Sequence, residues 1–235
     1  MRKAKSVVWR WAQAREKHAE WTPPLHLTLD GFDETYELGA LLGQGGFGVV
    51  HKATDRATRA QVAIKSVHVH AHGPGAKAPS TAMVLHEIQT MRRLSHPNIV
   101  SLVEAYAPPI PEGESETVWH LVMELCRGRD LEALVGDRGA LDPESLRAVA
   151  AQLARAIQHM HEHGVVHRDI KPGNVMVLGG ELQGARTACK VLDFGLAFQL
   201  GAQFERDYRR ASRRKGPLGR AVAAARKGLR RARQG

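Results

Sequence analysis

A glycine-rich turn set between apolar, β-branched runs restricts this chain more than any other feature. Gly43-Gln44-Gly45-Gly46-Phe47-Gly48-Val49-Val50 follows the run from Tyr36 to Leu42 and passes into Phe47 to Ala53, after which Val62-Ala63-Ile64-Lys65 is again apolar up to its last residue. Glycines without side chains let main-chain N–H groups approach phosphate oxygens. A dinucleotide-binding fold needs a helix directly after such glycines, whereas the β-branched residues here favour strand, hairpin and second strand. For this segment taken alone, a merely flexible turn is the alternative.

Composition bounds the rest. The 235 residues are 43% hydrophobic and 25% charged, enough to bury a core in one large domain or two small ones. Two cysteines, Cys126 and Cys189, lie far apart and outside paired-thiol spacing, which argues against a disulfide framework or a zinc site and suits a reducing compartment. No apolar run approaches the ~18 residues of a membrane span, and Val7-Val8-Trp9 is too short for a secretory signal, so cytoplasm or nucleus is expected. The net charge of +10 suggests nucleic acid until it is located: from Glu205 to Gly235 there are twelve Lys/Arg and two acids, so the tail holds the whole excess and the body is neutral.

Along the chain, residues 1–35 form a basic extension with Trp9, Trp11 and Trp21, in which Val7, Trp11, Ala14, His18 and Trp21 fall at helical spacing. Residues 36–123 read as five strands, the last two from Ser101 to Ala105 and Val118 to Met123, interrupted by one helix after Ser80. That helix carries Val84, Ile88 and Met91 on one face, with Glu87 assigned to the other. Residues 130–200 begin helical: Asp142-Pro143-Glu144 is a strong start, Leu146, Val149, Leu153, Ile157 and Met160 form a stripe, and His163-Gly164 is the stop. Short strands, Asn174 to Leu178 and Lys190 to Leu192, follow.

Chemistry concentrates in His167-Arg168-Asp169-Ile170-Lys171-Pro172-Gly173-Asn174, which sets a carboxylate, a cation and an amide on one loop, and in Asp193-Phe194-Gly195, whose carboxylate suits Mg²⁺. With the glycine turn and Val62-Ala63-Ile64-Lys65, these motifs in this order resemble the eukaryotic-type protein kinase superfamily, serine/threonine branch, from about Tyr36 to about Ala197. The resemblance implies a bilobal α+β fold: a five-stranded antiparallel N-lobe with one helix (36–123), a hinge (124–129) and an incomplete, mainly helical C-lobe (130–200). It implies ATP and Mg²⁺ as cofactors and a Ser/Thr-bearing protein as partner. By resemblance, Gly43, Gly45, Gly46 and Gly48 cover the triphosphate, and Lys65 holds its phosphates while paired with Glu87. Asp169 accepts or orients the substrate hydroxyl, Lys171 steadies the γ-phosphate, and Asn174 and Asp193 hold the metal. Leu42, Val50, Ala63 and Met176 line the adenine slot, Met123 guards its back, and backbone groups of Glu124 and Cys126 supply the hinge contacts. His167 is a packing and hydrogen-bonding residue, and Phe194, Met91 and Leu102 stack with it in an apolar column.

The resemblance stops after Ala197. The family continues through an activation segment ending in Ala-Pro-Glu and several further helices, and here a basic tail, 201–235, expected to be disordered, stands in their place. The chain is therefore expected to be truncated after the Asp-Phe-Gly motif. Loss of cover on even three residues of the Leu146–Met160 stripe costs ~5–9 kcal/mol, and an Arg168 without a phosphate to read makes regulation by that route doubtful. Three readings stand: a serine/threonine kinase whose turnover is in question without its substrate platform, a non-catalytic ATP-binding fragment or scaffold, and an adaptor whose tail binds nucleic acid or an import receptor.

Overall fold

Alternating β-branched residues and capped helices organise a computed structural model that describes residues 6–16, 22–45, 48–70, 79–112 and 114–201. The chain divides into two compact units, one made of its first 95 residues with Ser101–Leu125, the other of His96–Val100 with the chain from Cys126 onward. The arrangement is bilobal and α+β, with a many-stranded first unit and a helical second one. Expectations that fall on His18 and Trp21, on Gly46 and Phe47 or on the tail beyond Gly201 lie outside the described residues.

The first unit holds α1 (Val7–Glu16), β1 (Leu25–His26), α2 (Phe32–Thr35), β2 (Tyr36–Gly45), β3 (Gly48–Asp55), β4 (Gln61–His70), α3 (Thr81–Arg92), β5 (Leu102–Tyr106) and β6 (Glu116–Glu124). Its sheet runs β1-β5-β6-β4-β3-β2. The five expected antiparallel strands are there, and a sixth is added: β1 pairs parallel to β5, with Leu25 opposite Ala105 and His26 opposite Tyr106. Successive side chains of a strand point to opposite faces. On β4, Val62 and Ile64 enter a cluster with Val8, Phe32, Tyr36, Val103, Tyr106 and Val122, while Lys65, one residue on, meets α3. Every residue of β5 is buried.

Ser80 caps α3, its hydroxyl accepting from Met83 N. Val84, Glu87, Ile88 and Met91 are all buried, so Glu87 lies on the apolar face and not opposite it. Spacing of i, i+3, i+4, i+7 is one helical stripe, and a carboxylate is tolerated within it because a cation meets it there. Among the described side chains of α1, Val8 is the buried one, and half-buried Val7 and Trp11 pack against the same cluster.

The second unit holds β7 (Gly128–Asp130), α4 (Leu131–Arg138), α5 (Pro143–Glu162), β8 (Val165–Val166), β9 (Val175–Leu178), β10 (Cys189–Val191) and β11 (Phe198–Gln199), with 3₁₀ turns at Pro172–Asn174 and Gly184–Arg186. Strands β10, β9 and β7 form one antiparallel sheet, and β11 pairs with β8. Asp142 caps α5 by accepting from Glu144 N and Ser145 N, and the Ser145 hydroxyl, followed by those N–H groups, holds its carboxyl below the usual range.

The buried face of α5 corrects the apolar stripe. Ser145, Val149, Gln152, Ala156 and Met160 are buried, Leu153 and Ile157 are half-buried, and Leu146 is 53% exposed. Two polar residues can face inward because their bonds are made. Gln152 Nε2 donates to Thr187 O at 2.7 Å, and its Oε1 accepts from Asn98 Nδ2 at 2.8 Å and Cys189 N at 3.0 Å. Ser145 Oγ accepts from Gly184 N at 3.1 Å. Satisfied buried amides cost little, whereas unsatisfied ones cost ~1–3 kcal/mol each. Among the described residues no helix is long and apolar enough to cross a membrane.

Three histidines set an acid limit. Burial holds His96, His120 and His159 down at about 4, with Arg155 and Lys190 adding to the effect at His96 and His163 at His159. Between pH ~6.5 and ~4 the unfolded chain binds more protons than the folded one, so stability falls as pH falls through that window. Urea midpoints should be flat above pH 7 and decline from pH 6.5 to 4.5. Substituting His159→Phe should lessen the decline, and an unchanged slope would remove the histidines as its cause.

Candidate functional site

In the first unit, strand pairing gathers most of the predicted phosphate- and base-contacting residues. Gly43 is opposite Val50, Val50 opposite Lys65, and Ala63 opposite Met123. Lys65 Nζ donates to Glu87 Oε1 at 2.8 Å, with Lys65 8% and Glu87 4% exposed. A buried ion pair is held by geometry and hydrogen bonding, and removal of either partner leaves a costly charge behind.

The glycines divide by physical role. A Cβ on Gly48, whose φ is +126°, would stand 2.3 Å from the Ser66 carbonyl oxygen, so sheet packing itself demands glycine there. Around the missing Cβ positions of Gly43 and Gly45 nothing lies within 4 Å. That clearance leaves room for a phosphate group to approach the main chain. Leu42 sits on the edge strand β2 and is 51% exposed, while Ala63 is buried and Val50 and Met123 are half-buried. The main-chain N–H of Glu124 donates to Ser101 O at 3.0 Å, and its Oε1 accepts from Ser101 N at 2.9 Å, so that N–H is already committed. Met91 and Leu102 are buried in this unit.

In the second unit, Asp169, Lys171 and Asn174 converge. Asp169 Oδ2 accepts from Lys171 Nζ at 2.9 Å and from Asn174 Nδ2 at 2.9 Å. The Lys171 hydrogen bond holds the Asp169 carboxyl below the usual range and raises the Lys171 ammonium. The loop is fixed from beneath: His167 is buried, its Nε2 lies 3.0 Å from Leu192 O, and its ring packs edge-on against Phe194 at 4.9 Å. Burial lowers His167, in keeping with a packing residue. Arg168 and Asp193 both adopt positive φ, 66° and 53°, which costs a non-glycine residue about 1–3 kcal/mol. Contacts hold both in place: Arg168 Nε donates to Leu196 O at 2.6 Å and its guanidinium lies over Phe198, and Asp193 Oδ1 accepts from Gly195 N.

Asn174 also brings Asp193 near, since its carbonyl accepts from Leu192 N at 2.9 Å. Among the described residues no three His, Cys, Asp or Glu side chains form a metal cluster. An Asp carboxylate and an Asn amide, both oxygen donors, nevertheless fit Mg²⁺, which takes few protein ligands and completes its shell with phosphate oxygens and water. Met176 is half-buried on β9, opposite Lys190, and Cys126, half-buried and outside any disulfide, opens the longer segment of this unit.

Comparison with known proteins agrees with this geometry. The protein kinase domain family matches residues 36–214, beyond Ala197 where the motif resemblance ended. Serine/threonine-protein kinase 33 of Mus musculus is 35% identical over 182 residues, covering 74% of this chain and 34% of that protein. Calcium-dependent protein kinase 9 of Oryza sativa subsp. japonica is 38% identical over 188 residues, covering 79% of this chain and 30% of that protein. The chain belongs to the protein kinase family and is related to its serine/threonine members. It spans about a third of the length of these relatives.

Arg92, Asn98, Gln152 and Glu104 are polar residues that the structure bonds to distant segments, to Pro23, Cys189, Thr187 and Tyr36 respectively. Each acts through partners far away in the chain, and no local motif marks them.

Proposed function

We propose that this chain is a serine/threonine protein kinase that transfers the γ-phosphoryl group of ATP to a protein hydroxyl. The observation that carries the reading is the buried Lys65–Glu87 ion pair, one strand from glycines with open space above them. A buried ammonium beside a glycine turn suits an anionic ligand, and the paired carboxylate fixes where that ammonium points.

In this reading Lys65 holds the α- and β-phosphates, and Asn174 and Asp193 hold Mg²⁺. When bound, the metal neutralises and orients phosphate oxygens. Asp169 orients the acceptor hydroxyl. Its lowered pKa makes it a weak base, adequate for a transition state in which positioning outweighs proton removal. Lys171, 2.9 Å from Asp169, steadies the phosphoryl group as it moves. The bond from acceptor oxygen to γ-phosphorus forms and the bond from γ-phosphorus to the β–γ bridging oxygen breaks; the hydroxyl proton passes late to Asp169 and on to water, and ADP leaves with the electron pair of the broken bond.

The test supplies the chain with γ-labelled ATP, Mg²⁺ and a generic acceptor protein, followed by acid hydrolysis. Label should be recovered as phosphoserine and phosphothreonine. Label on tyrosine alone would assign a different acceptor. No label, together with thermal stabilisation by Mg·ATP, would favour the non-catalytic nucleotide-binding reading.

A further inference from the structure

Residues ahead of Tyr36 are built into the first unit, and they reach the helix that carries Glu87. Val8 of α1 is buried in the cluster containing Val62 and Ile64. Pro24 O accepts from Ala105 N at 3.0 Å and His26 O from Ala107 N at 2.7 Å, laying β1 along β5. His26 Nε2 lies 2.7 Å from Glu104 Oε2, on a carboxylate only 1% exposed, and the Tyr36 hydroxyl donates to the other oxygen. Burial, with Glu104 alongside, pushes the Tyr36 hydroxyl up, so it stays a donor. Finally, Arg92 Nε donates to the carbonyl of buried Pro23 at 2.9 Å.

That last bond joins the extension to the C-terminal turn of α3. Arg92 is five residues beyond Glu87, ~7.5 Å along one rigid helix. At its other end α3 is tied to the sheet through the isolated bridge between His70 and Ser80. The 2.8 Å contact between Lys65 and Glu87 does not survive a shift of α3 by more than about an ångström, because hydrogen bonds fail beyond ~3.5 Å.

We infer that α1 with residues 22–26 forms a brace that holds α3 against the sheet, and that Arg92 is a positioning residue coupling this brace to the Lys65–Glu87 pair. The inference rests on the reading of that pair as the nucleotide grip. It makes the correct seat of α3 a property supplied by the chain's own N-terminal residues. When α3 leaves that seat for part of the time, apparent nucleotide affinity drops by the fraction of molecules still seated.

The experiment uses the full chain with Arg92→Met, which keeps the aliphatic stem and removes the donor, Arg92→Lys, which restores a donor, and exposed Gln89→Ala as a control on the same helix. Calorimetric Mg·ATP affinity should weaken about tenfold in Arg92→Met, equivalent to ~1.4 kcal/mol, and recover in Arg92→Lys. Amide hydrogen exchange of residues 84–91 without nucleotide should speed up by a similar factor in Arg92→Met, while the thermal midpoint of the unit moves little. Wild-type exchange rates over 84–91 in Arg92→Met would overturn the brace whatever the nucleotide data. Faster exchange in a chain whose wild-type form binds no Mg·ATP would leave the brace standing and overturn the nucleotide grip. If Arg92→Met does not fold, Val8→Ala, at the far end of the brace, is read by the same exchange measurement, and slow exchange there counts against the inference.

Discussion

Lys65→Met is expected to lose Mg·ATP-dependent thermal stabilisation and to lower the stability of the first unit by ~3–5 kcal/mol. The second figure follows from burial: Glu87 is 4% exposed, and removing the ammonium 2.8 Å away leaves its charge without that partner in a low-dielectric site. Such a loss takes a large part of the ~5–15 kcal/mol that holds a domain together, so the single variant alone confounds folding with binding. Lys65→Met combined with Glu87→Leu separates them. An apolar pair of similar volume avoids the buried charge and should recover most of the stability, since such replacements are often neutral. It should recover no nucleotide binding, because the cation is still gone. Thermal midpoints with and without Mg·ATP on wild type, single and double variants read both effects. A double variant stabilised by Mg·ATP as much as the wild type would remove Lys65 from the phosphate site.

Asp169→Asn should behave in the opposite way, with phosphoryl transfer down ~10²–10⁴-fold and stability nearly unchanged. Asp169 is only half-buried, and an asparagine keeps an oxygen for the Lys171 and Asn174 contacts, so the fold loses little. What disappears is the negative charge that orients a hydroxyl donor in the transition state; in the resting loop that charge meets the largely exposed Lys171, a pair whose weakening costs the fold little. Nucleotide stabilisation should therefore persist while labelled product falls. Equal product from Asp169→Asn and wild type would take Asp169 out of the chemistry.

The chemistry-bearing loop is legible from sequence because its residue types are nearly contiguous: Asp169, Lys171 and Asn174 lie within six positions, and the structure brings Lys171 and Asn174 each within 3 Å of Asp169 Oδ2. Caps were legible for a similar reason, since Ser80 and Asp142 bond to residues two or three positions away. Hydrophobic periodicity located α5 but chose Leu146 over Ser145 and Gln152. A stripe counts apolar residues, and it cannot register an amide whose partners, Asn98, Thr187 and Cys189, come from elsewhere in the chain. The same blindness placed Glu87 on the wrong face of α3, although its spacing from Val84, Ile88 and Met91 is that of one face. Strand β1 has two residues, too few for any alternation to be read.

That short parallel strand has a bearing on where this fold begins. The kinase match starts at residue 36, yet Val8 and Phe32 are interior residues and β1 pairs along the C-terminal end of β5. A version cut to the matched region would bare an apolar strand border of the kind that recruits neighbouring molecules into continuous sheets. The homology boundary is therefore not the edge of the packed unit, whose interior reaches Val8, about thirty residues ahead of it.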